Sequence, residues 1–476
     1  MLLFCNYILY FELSNTTLAV VFIISIIIMI SLYNFSIDKI LSCFLFFFVL
    51  FPKKPISSEW TNKFLNDLIL EANFNEGLSF FEFYILPMFS FVLFIKAFRS
   101  YNKPSKEIYF GYSLVLLFIL GYVFSTLINS INGSSLSLTR IIFTLIYSSQ
   151  ILIIPPLLIY KKILVKKVSF FENLILFLII LLSIEALLIA LGLLPDSILR
   201  QSVDWREGFR SIFFGYSVFV GFFALLGFCI SIIRFIKSGN YLFLVFASSA
   251  LIIQFLTFDR TPLLASFIFL LLTFYFKYKM KAVIATTFVF PLIFFSASFI
   301  IDSIENTDIS KHKSGGFFST ESSYGRLGMQ LRYIDAMIDN SFAPAGLKTY
   351  KTFFNREIKK NFLFNNPDIN WAYNDVSSKG ITQAHNIFIQ MAFDLGFASF
   401  IMYLLIIFKY FIPKYKRNDK YYYALGIAVV IFYLNQASPT YYFSIIMVFI
   451  FSLKYTELDT NKDQLSINIK KNKKHT

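Results

Sequence analysis

Long apolar runs, separated by short polar links, recur along the whole chain. Runs of about 20 residues can cross about 30 Å of hydrocarbon, and the backbone in lipid must satisfy its own hydrogen bonds as helix. The pattern therefore predicts an all-α polytopic membrane protein with about 12–14 transmembrane helices. The predicted spans are about 2–13, 16–33, 37–51, 79–97, 107–129, 138–160, 169–193, 212–235, 241–257, 262–276, 282–301, 387–411, 422–436 and 439–455.

One long hydrophilic stretch, about 302–386, interrupts this series. A loop of this length is usually functional or disordered. The chain therefore divides into an N-terminal transmembrane bundle, this loop, C-terminal transmembrane helices and a basic tail, at 1–301, 302–386, 387–456 and 457–476. Within the loop, residues 324–341 have the periodicity of an amphipathic helix. Its predicted apolar face consists of Leu327, Leu331, Ile334 and Ile338.

The composition supports this class. The chain has 476 residues, of which 57% are hydrophobic and 15% charged, and its mean hydropathy is +0.66. A soluble protein of this length would need far more charged surface. The three cysteines form no CxxC pair, which disfavours a disulfide framework or a zinc site. No basic segment precedes the first apolar run, so we predict no removable signal peptide.

The net charge of +15 lies mainly in the links between apolar runs. This distribution follows the positive-inside rule and disfavours a role in nucleic-acid binding. The basic links at about 161–167, 277–281 and 414–420, together with the tail, are predicted to be cytoplasmic. An even number of spans then places both termini inside and the long loop on the exoplasmic side.

His385 is the first candidate for chemistry, because it immediately precedes a predicted span at the exoplasmic face. Histidine is the side chain best suited to proton transfer near neutral pH. The alternative is an interfacial histidine that only caps a helix, and the residues alone leave both interpretations open.

Arginines on the exoplasmic side form the second candidate set, because the positive-inside rule predicts few of them there. Planar guanidinium groups bind phosphate in a bidentate manner. Contact with lipid headgroups, or a local pair between Asp259 and Arg260, would also explain them. The set comprises Arg200, Arg206, Arg210, Arg260, Arg326 and Arg332.

Several other chemistries lack their motifs. The chain has no phosphate-binding P-loop, HExxH zinc motif, Gly-x-Ser-x-Gly elbow or Asp-x-Asp pair. Carboxylates within the spans are few, mainly Glu172 and Glu185, whereas a proton-coupled transporter usually carries more. Glu172 is expected near a helix end and Glu185 inside the bundle.

Together these segments resemble the O-antigen ligase and polymerase superfamily. His385-Asn386, nine residues and then Gly396 resemble its His-Asn signature, although Ser399 stands where that signature usually has Gly, Thr or Tyr. Further segments at 205–213, 258–261, 324–326 and 343–346 resemble its arginine-bearing and Pro-x-Gly elements. Order and spacing agree over about residues 195–410.

The resemblance implies a metal-independent membrane glycosyltransferase without cofactor, whose donor is an undecaprenyl-diphosphate-linked oligosaccharide. It implies a multi-pass protein of the bacterial inner membrane with a periplasmic active site. Its other expected partners are membrane lipid and a chain-length regulator protein. By this resemblance His385, Arg260 and Arg210 are catalytic, and Arg206, Arg326 and Asn386 bind substrate. Gly396 is expected to allow close helix packing.

Three functions remain open. A polymerase would join lipid-linked repeat units into O-antigen or capsular polysaccharide, and a ligase would transfer the finished glycan to lipid A–core. The altered signature and the long loop favour the polymerase. A flippase for the same lipid-linked substrate is the alternative from another class, and would show polar residues along a path through the bilayer.

Overall fold

The computed structural model describes residues 30–51, 85–99, 109, 113, 116, 153–194, 211, 217–257, 259–279, 321–339, 341–342, 369, 373, 384–396, 400–401, 404 and 420–434. Over these residues the regular structure is entirely helical, which confirms the predicted all-α class. The helices are α1 (Ile37–Leu50), α2 (Leu86–Arg99), α3 (Ile154–Ile159), α4 (Lys161–Lys166), α5 (Val168–Ala190), α6 (Ser217–Ser238), α7 (Leu242–Leu256), α8 (Arg260–Tyr278), α9 (Glu321–Asp339), α10 (Ile387–Leu395) and α11 (Lys420–Leu434).

Among the described helices, three are long and apolar enough to span a membrane: α5, residues Val218–Ser238 of α6, and α8. They fall on predicted spans, as do the shorter apolar helices α7 and α11. The predicted spans at about 2–13, 282–301 and 439–455 lie outside the described residues. The total number of spans and the four-part division of the chain therefore stay predictions.

Helix α6 is the centre of the described bundle. It packs against α5, α7, α8 and α11, and 78% of its most apolar window is buried. Aromatic rings fill the contact with α11, where the ring of Phe222 lies 5.2 Å from Phe432 and 5.3 Å from Tyr433. Such tilted and edge-on pairs add to the burial of apolar area that holds the helices together.

Cationic side chains gather where several described helices meet at one end of the bundle. Lys96 donates to the backbone carbonyl of Phe35 at 2.8 Å, and Lys167 pairs with Asp38 at the start of α1, also at 2.8 Å. Lys420, at the start of α11, donates to the carbonyl of Phe276 near the end of α8 at 3.0 Å. We call this end the basic face, and it comprises Lys96, Arg99, Lys167, Arg234, Lys237 and Lys420.

At the basic face, Glu172 joins three helices. Its carboxylate accepts from Arg234 Nε of α6 at 2.8 Å and from the Tyr422 hydroxyl of α11 at 2.9 Å. The same guanidinium donates to Asn173 Oδ1 at 2.7 Å. We call this group the Glu172 node. The expectation that Glu172 lies near a helix end is confirmed, and Glu185 is buried inside the bundle as expected.

The predicted span at 387–411 is not one unbroken helix, because the structure contradicts the expectation that Gly396 lies within the helix. Helix α10 ends at Leu395, and Gly396 is a buried C-cap with φ +80°. This backbone conformation costs an L residue energy that glycine does not pay. Phe400 is helical, and its N–H donates to the Gly396 carbonyl at 3.0 Å. Gly396 therefore breaks the helix, whereas the sequence predicted a packing site within a continuous one.

Helix α9 confirms the predicted amphipathic helix, but its buried face differs in part from the predicted one. Leu327 and Ile338 are 41% and 42% exposed, whereas Tyr333 and Ala336 are fully buried. The buried face packs against α10. Of the predicted stripe, Ile334 does pack against the core that α9 forms with α10. Arg332 and Asp335, which a hydrophobic pattern assigns to solvent, are also buried, so the stripe identified the packed side only in part.

We expect Glu172→Gln to destabilise the protein strongly. The change leaves the Arg234 guanidinium, whose side chain is 20% exposed, without its charged partner. Removing one member of a buried pair typically costs about 3–5 kcal/mol. A clear fall in the melting temperature of the detergent-purified protein is the expected result.

The pair between Lys167 and Asp38 provides a matched control, because its side chains are 21% and 53% exposed. Pairs of this kind contribute about 0–1 kcal/mol. Asp38→Asn should therefore leave the melting temperature nearly unchanged. Equal falls in melting temperature for the two substitutions would show that the Glu172 node stabilises the protein no more than an exposed ion pair does.

Candidate functional site

The hairpin between α7 and α8 holds Arg260 at the first position of α8. The preceding residue, Asp259, is the N-cap, and its Oδ1 accepts from the Thr261 N–H at 3.1 Å. Because this N–H is occupied and Pro262 has none, the end of the helix offers few free backbone donors. An anion at this end would therefore depend on the Arg260 side chain, supported by the positive end of the helix dipole.

Buried hydrogen bonds hold α7 and α8 together next to this hairpin. Ser266 of α8 donates to Gln254 Oε1 of α7 at 2.9 Å, and both residues are fully buried. The Thr257 hydroxyl donates to the Gln254 carbonyl at 2.8 Å. Hydrogen bonds between transmembrane helices typically contribute about 0.6–2 kcal/mol each. The position of Arg260 is thus set by polar contacts within an apolar environment.

A close approach of α6 supports the same hairpin. A Cβ added at Gly221 would lie 2.9 Å from Pro262 Cγ and 3.5 Å from Thr257 Oγ1. The proline ring cannot rotate away as an open side chain can. Gly221 therefore allows α6 to press directly against the turn that carries Arg260.

His385 has φ +47°, in the left-handed region that most L residues avoid. Its neighbour Asn386 is the N-cap of α10, and its Oδ1 accepts from the N–H groups of Phe388 and Ile389 at 3.0 and 3.2 Å. On the other side, the N–H of Ala384 donates to Gln390 Oε1 at 3.0 Å. Asn386, rather than His385, thus caps the helix, and the predicted role of Asn386 in substrate binding stays a prediction.

Helix α9, which carries Arg326, packs against α10, which begins just after His385. Met329, Tyr333 and Met337 recur at helical spacing from Arg326 and form a small core with α10. The ring of Tyr333 meets that of Phe393 edge-on at 4.9 Å. This core also includes Ala384, directly before His385. The helical spacing therefore places Arg326 on the face of α9 that packs against α10 and Ala384.

Arg332 has a different environment from Arg326. It is 8% exposed, and its guanidinium lies 5.3 Å from the ring centre of the buried Tyr373. Burial lowers the pKa of Arg332, and the charges of Asp335 and Asp339 oppose this change. Arg332 is therefore enclosed by the fold, whereas Arg326 is only partly buried.

Helix packing connects the described candidates. Helix α9 packs on α10, α10 on α11, and α11 on α8, whose first residue is Arg260. Arg206 and Arg210 lie outside the described residues. Ser211, which follows Arg210 in sequence, is buried and donates to the Glu185 carboxylate near the end of α5. That end is remote from the Glu172 node, which lies in the first turns of the same helix.

Sequence reasoning missed Gly221 and Gln390. A glycine in an apolar span has many explanations, and its contact with Pro262 spans about forty residues of sequence. Gln390 carried a detectable signal, because a buried amide in the first turns of a helix often bonds backbone near the N-cap.

The fold and these residues define a multi-helix membrane protein in which Arg260 begins α8, Arg326 lies on α9 and His385 precedes α10. Residues 242–404 match the family model described as O-Antigen ligase. This match supports assignment of the region to the O-antigen polymerase and ligase superfamily, whose members are in general terms glycan-transferring enzymes. The matched region contains Arg260, Arg326, His385 and Asn386, but not Arg206 or Arg210. Comparison with curated proteins and with solved structures gave no match.

We expect Asn386→Ala to weaken the start of α10 and lower glycan transfer, because loss of such a cap costs about 1 kcal/mol. Asn386→Asp keeps an oxygen that accepts from Phe388 and Ile389, so it should retain most transfer. The rates are measured with purified protein normalised to the folded fraction. Equal loss of transfer in both variants would instead indicate that the carboxamide contacts substrate.

We expect Gly221→Ala to lower glycan transfer by displacing the Arg260 hairpin. The matched control is Gly227→Ala in the same helix, where the added methyl would lie 2.5 Å from Ile179 Cγ1, away from the Arg260 hairpin. Both substitutions overpack a close helix contact, so the control separates a general loss of stability from a displacement of the hairpin. Transfer rates normalised to folded protein should fall for the first variant and stay near wild type for the second. The opposite order would remove Gly221 from the support of Arg260.

Proposed function

We propose that the protein polymerises undecaprenyl-diphosphate-linked oligosaccharide repeat units into O-antigen or capsular polysaccharide on the periplasmic face of the bacterial inner membrane. The family match over 242–404 carries this proposal, because it covers both the Arg260 hairpin and the His385 segment. The altered signature at Ser399 and the loop of about 302–386 support polymerisation over ligation.

In the proposed reaction, the bond between the anomeric carbon and the diphosphate oxygen of the donor breaks, and the undecaprenyl diphosphate leaves with its electron pair. Negative charge then grows on that oxygen, where arginine side chains stabilise it without a metal or cofactor. Arg260 supports this role through its place at the positive end of α8. Arg210 is the second catalytic arginine of the proposal, with Arg206 and Arg326 binding substrate.

The acceptor hydroxyl must lose its proton as it forms the new bond to the anomeric carbon. His385 is the proposed base, since imidazole accepts a proton near neutral pH. Its side chain is only partly buried, at the entry to α10. This position supports a role at a surface that a glycan chain can reach.

The second candidate is a ligase that transfers finished glycan to lipid A–core, which the description of the matched family as O-Antigen ligase favours. Both enzymes would use the same donor chemistry and differ in the acceptor. Membrane lipid and the lipid-linked donor are partners in either case, and a chain-length regulator protein belongs to the polymerase alone.

The surface glycan of a deletion strain distinguishes the two candidates. Mass spectrometry should show a single repeat unit on the lipid A–core if a polymerase has been lost. A bare core with accumulated lipid-linked polymer would instead identify a ligase. For a flippase, the purified protein would move lipid-linked repeats across liposomes without extending them.

We expect His385→Ala and Arg260→Ala each to abolish glycan transfer by the purified protein, because each removes a group that acts on the reacting atoms. The expected loss is at least about a hundredfold. The measurement is elongation of lipid-linked repeat units followed by mass spectrometry.

Leu327→Ala is a control on α9, because its side chain is 41% exposed. It should retain elongation. Wild-type elongation by well-folded His385→Ala would exclude His385 from the mechanism.

A further inference from the structure

Two carboxamide side chains hold the backbone on either side of His385. Asn386 Oδ1 occupies the N–H groups of the two residues at 388 and 389, and Gln390 Oε1 occupies the N–H of Ala384. The backbone N–H of Gln390 also donates to the Asn386 carbonyl at 2.9 Å, in the first turn of α10. His385 is therefore enclosed within a short hydrogen-bonded loop that begins and ends at Gln390.

The geometry follows from helix chemistry. Side chains in a helix lean towards its N-terminus, so a residue four positions after the N-cap can reach backwards over the first turn. Gln390 is 7% exposed. An oxygen enclosed in this way cannot exchange its protein donor for water without local opening, so the bond to Ala384 is retained.

The conformation of His385 explains what this loop does. Its φ of +47° is one that an unrestrained L residue rarely adopts. Such a conformation persists only where the surroundings fix it. A backbone held in this conformation fixes the direction in which the imidazole leaves the chain.

We propose that Gln390 is a positioning residue for His385: the carboxamide oxygen of Gln390 holds the N–H of Ala384, the residue before His385, and so orients the imidazole toward the acceptor. The proposal rests on the proposed function for its catalytic meaning. Gln390 takes no proton and contacts no substrate in this role. Removing the Gln390 carboxamide would act on His385 only through the backbone of Ala384.

The test compares Gln390→Leu, which removes the acceptor at similar size, with Gln390→Glu, which keeps an oxygen for the Ala384 N–H. In elongation assays with lipid-linked repeat units, Gln390→Leu should lower kcat about ten- to a hundredfold with the KM for the donor nearly unchanged. Gln390→Glu should recover most of the lost kcat. Wild-type kcat in Gln390→Leu, or equal losses in the two variants, would overturn the proposal.

A second measurement does not depend on activity. The chain has three histidines, so ¹³C-histidine labelling of the full protein in micelles gives few imidazole signals, and His385→Ala identifies the relevant one. The His385 signal should shift or broaden in Gln390→Leu and stay near its wild-type position in Gln390→Glu. An unchanged signal in Gln390→Leu overturns the positioning role. The His385 signal could change in Gln390→Leu while the wild-type protein elongates no glycan. That result would support the positioning role and overturn only the polymerase proposal.

Discussion

The Glu172 carboxylate is the contact on which the described bundle depends most. In an apolar interior a charge persists only when it is paired and hydrogen-bonded, and Glu172 obtains its partners from two other helices. The register of α5, α6 and α11 is therefore fixed at the basic face. Lys420 extends the constraint to α8 through the carbonyl of Phe276. Apolar packing alone would allow these helices to slide, because many phenylalanine contacts have similar energies.

This constraint reaches the other end of the bundle because helices are stiff. Helix α8 has 19 residues, which span about 28 Å at 1.5 Å each. One end of α8 is tied to the basic face, and the other begins with Arg260. Near that second end, α6 presses on Pro262 through Gly221, so the helix that provides Arg234 to the node also sets the hairpin. Arg260 is thus located by contacts at both ends of the same pair of helices.

The sequence predicted what depends on local periodicity and could not predict what depends on distant pairing. Hydropathy placed α5 to α8 to within a few residues, and the charge pattern located Arg260 in a hairpin. The bond between Glu172 and Tyr422 joins residues 250 positions apart, which no local pattern contains. The buried face of α9 was predicted only in part, because Arg332 and Asp335 are polar yet buried. The break at Gly396 was missed because glycine fits both a helix contact and a left-handed turn.

Two different groups of packed helices hold the residues of the candidate site, and each group supports a different part of it. Arg260 is held by the apolar bundle. Helix α9, which carries Arg326, and α10, which follows His385, form a separate small core around Tyr333 and Phe393. The two groups meet through α10, since Ile387 and Met391 belong to the core of the bundle. The two substrates of the proposed reaction likewise approach from different sides. A lipid diphosphate approaches from the membrane and needs fixed cations, while a glycan acceptor approaches from water and needs a base. Because α10 belongs to both groups, a displacement of its first turn would change the distance between the base and the leaving group. The capped and hydrogen-bonded start of α10 is therefore the part of the site that must be most rigid.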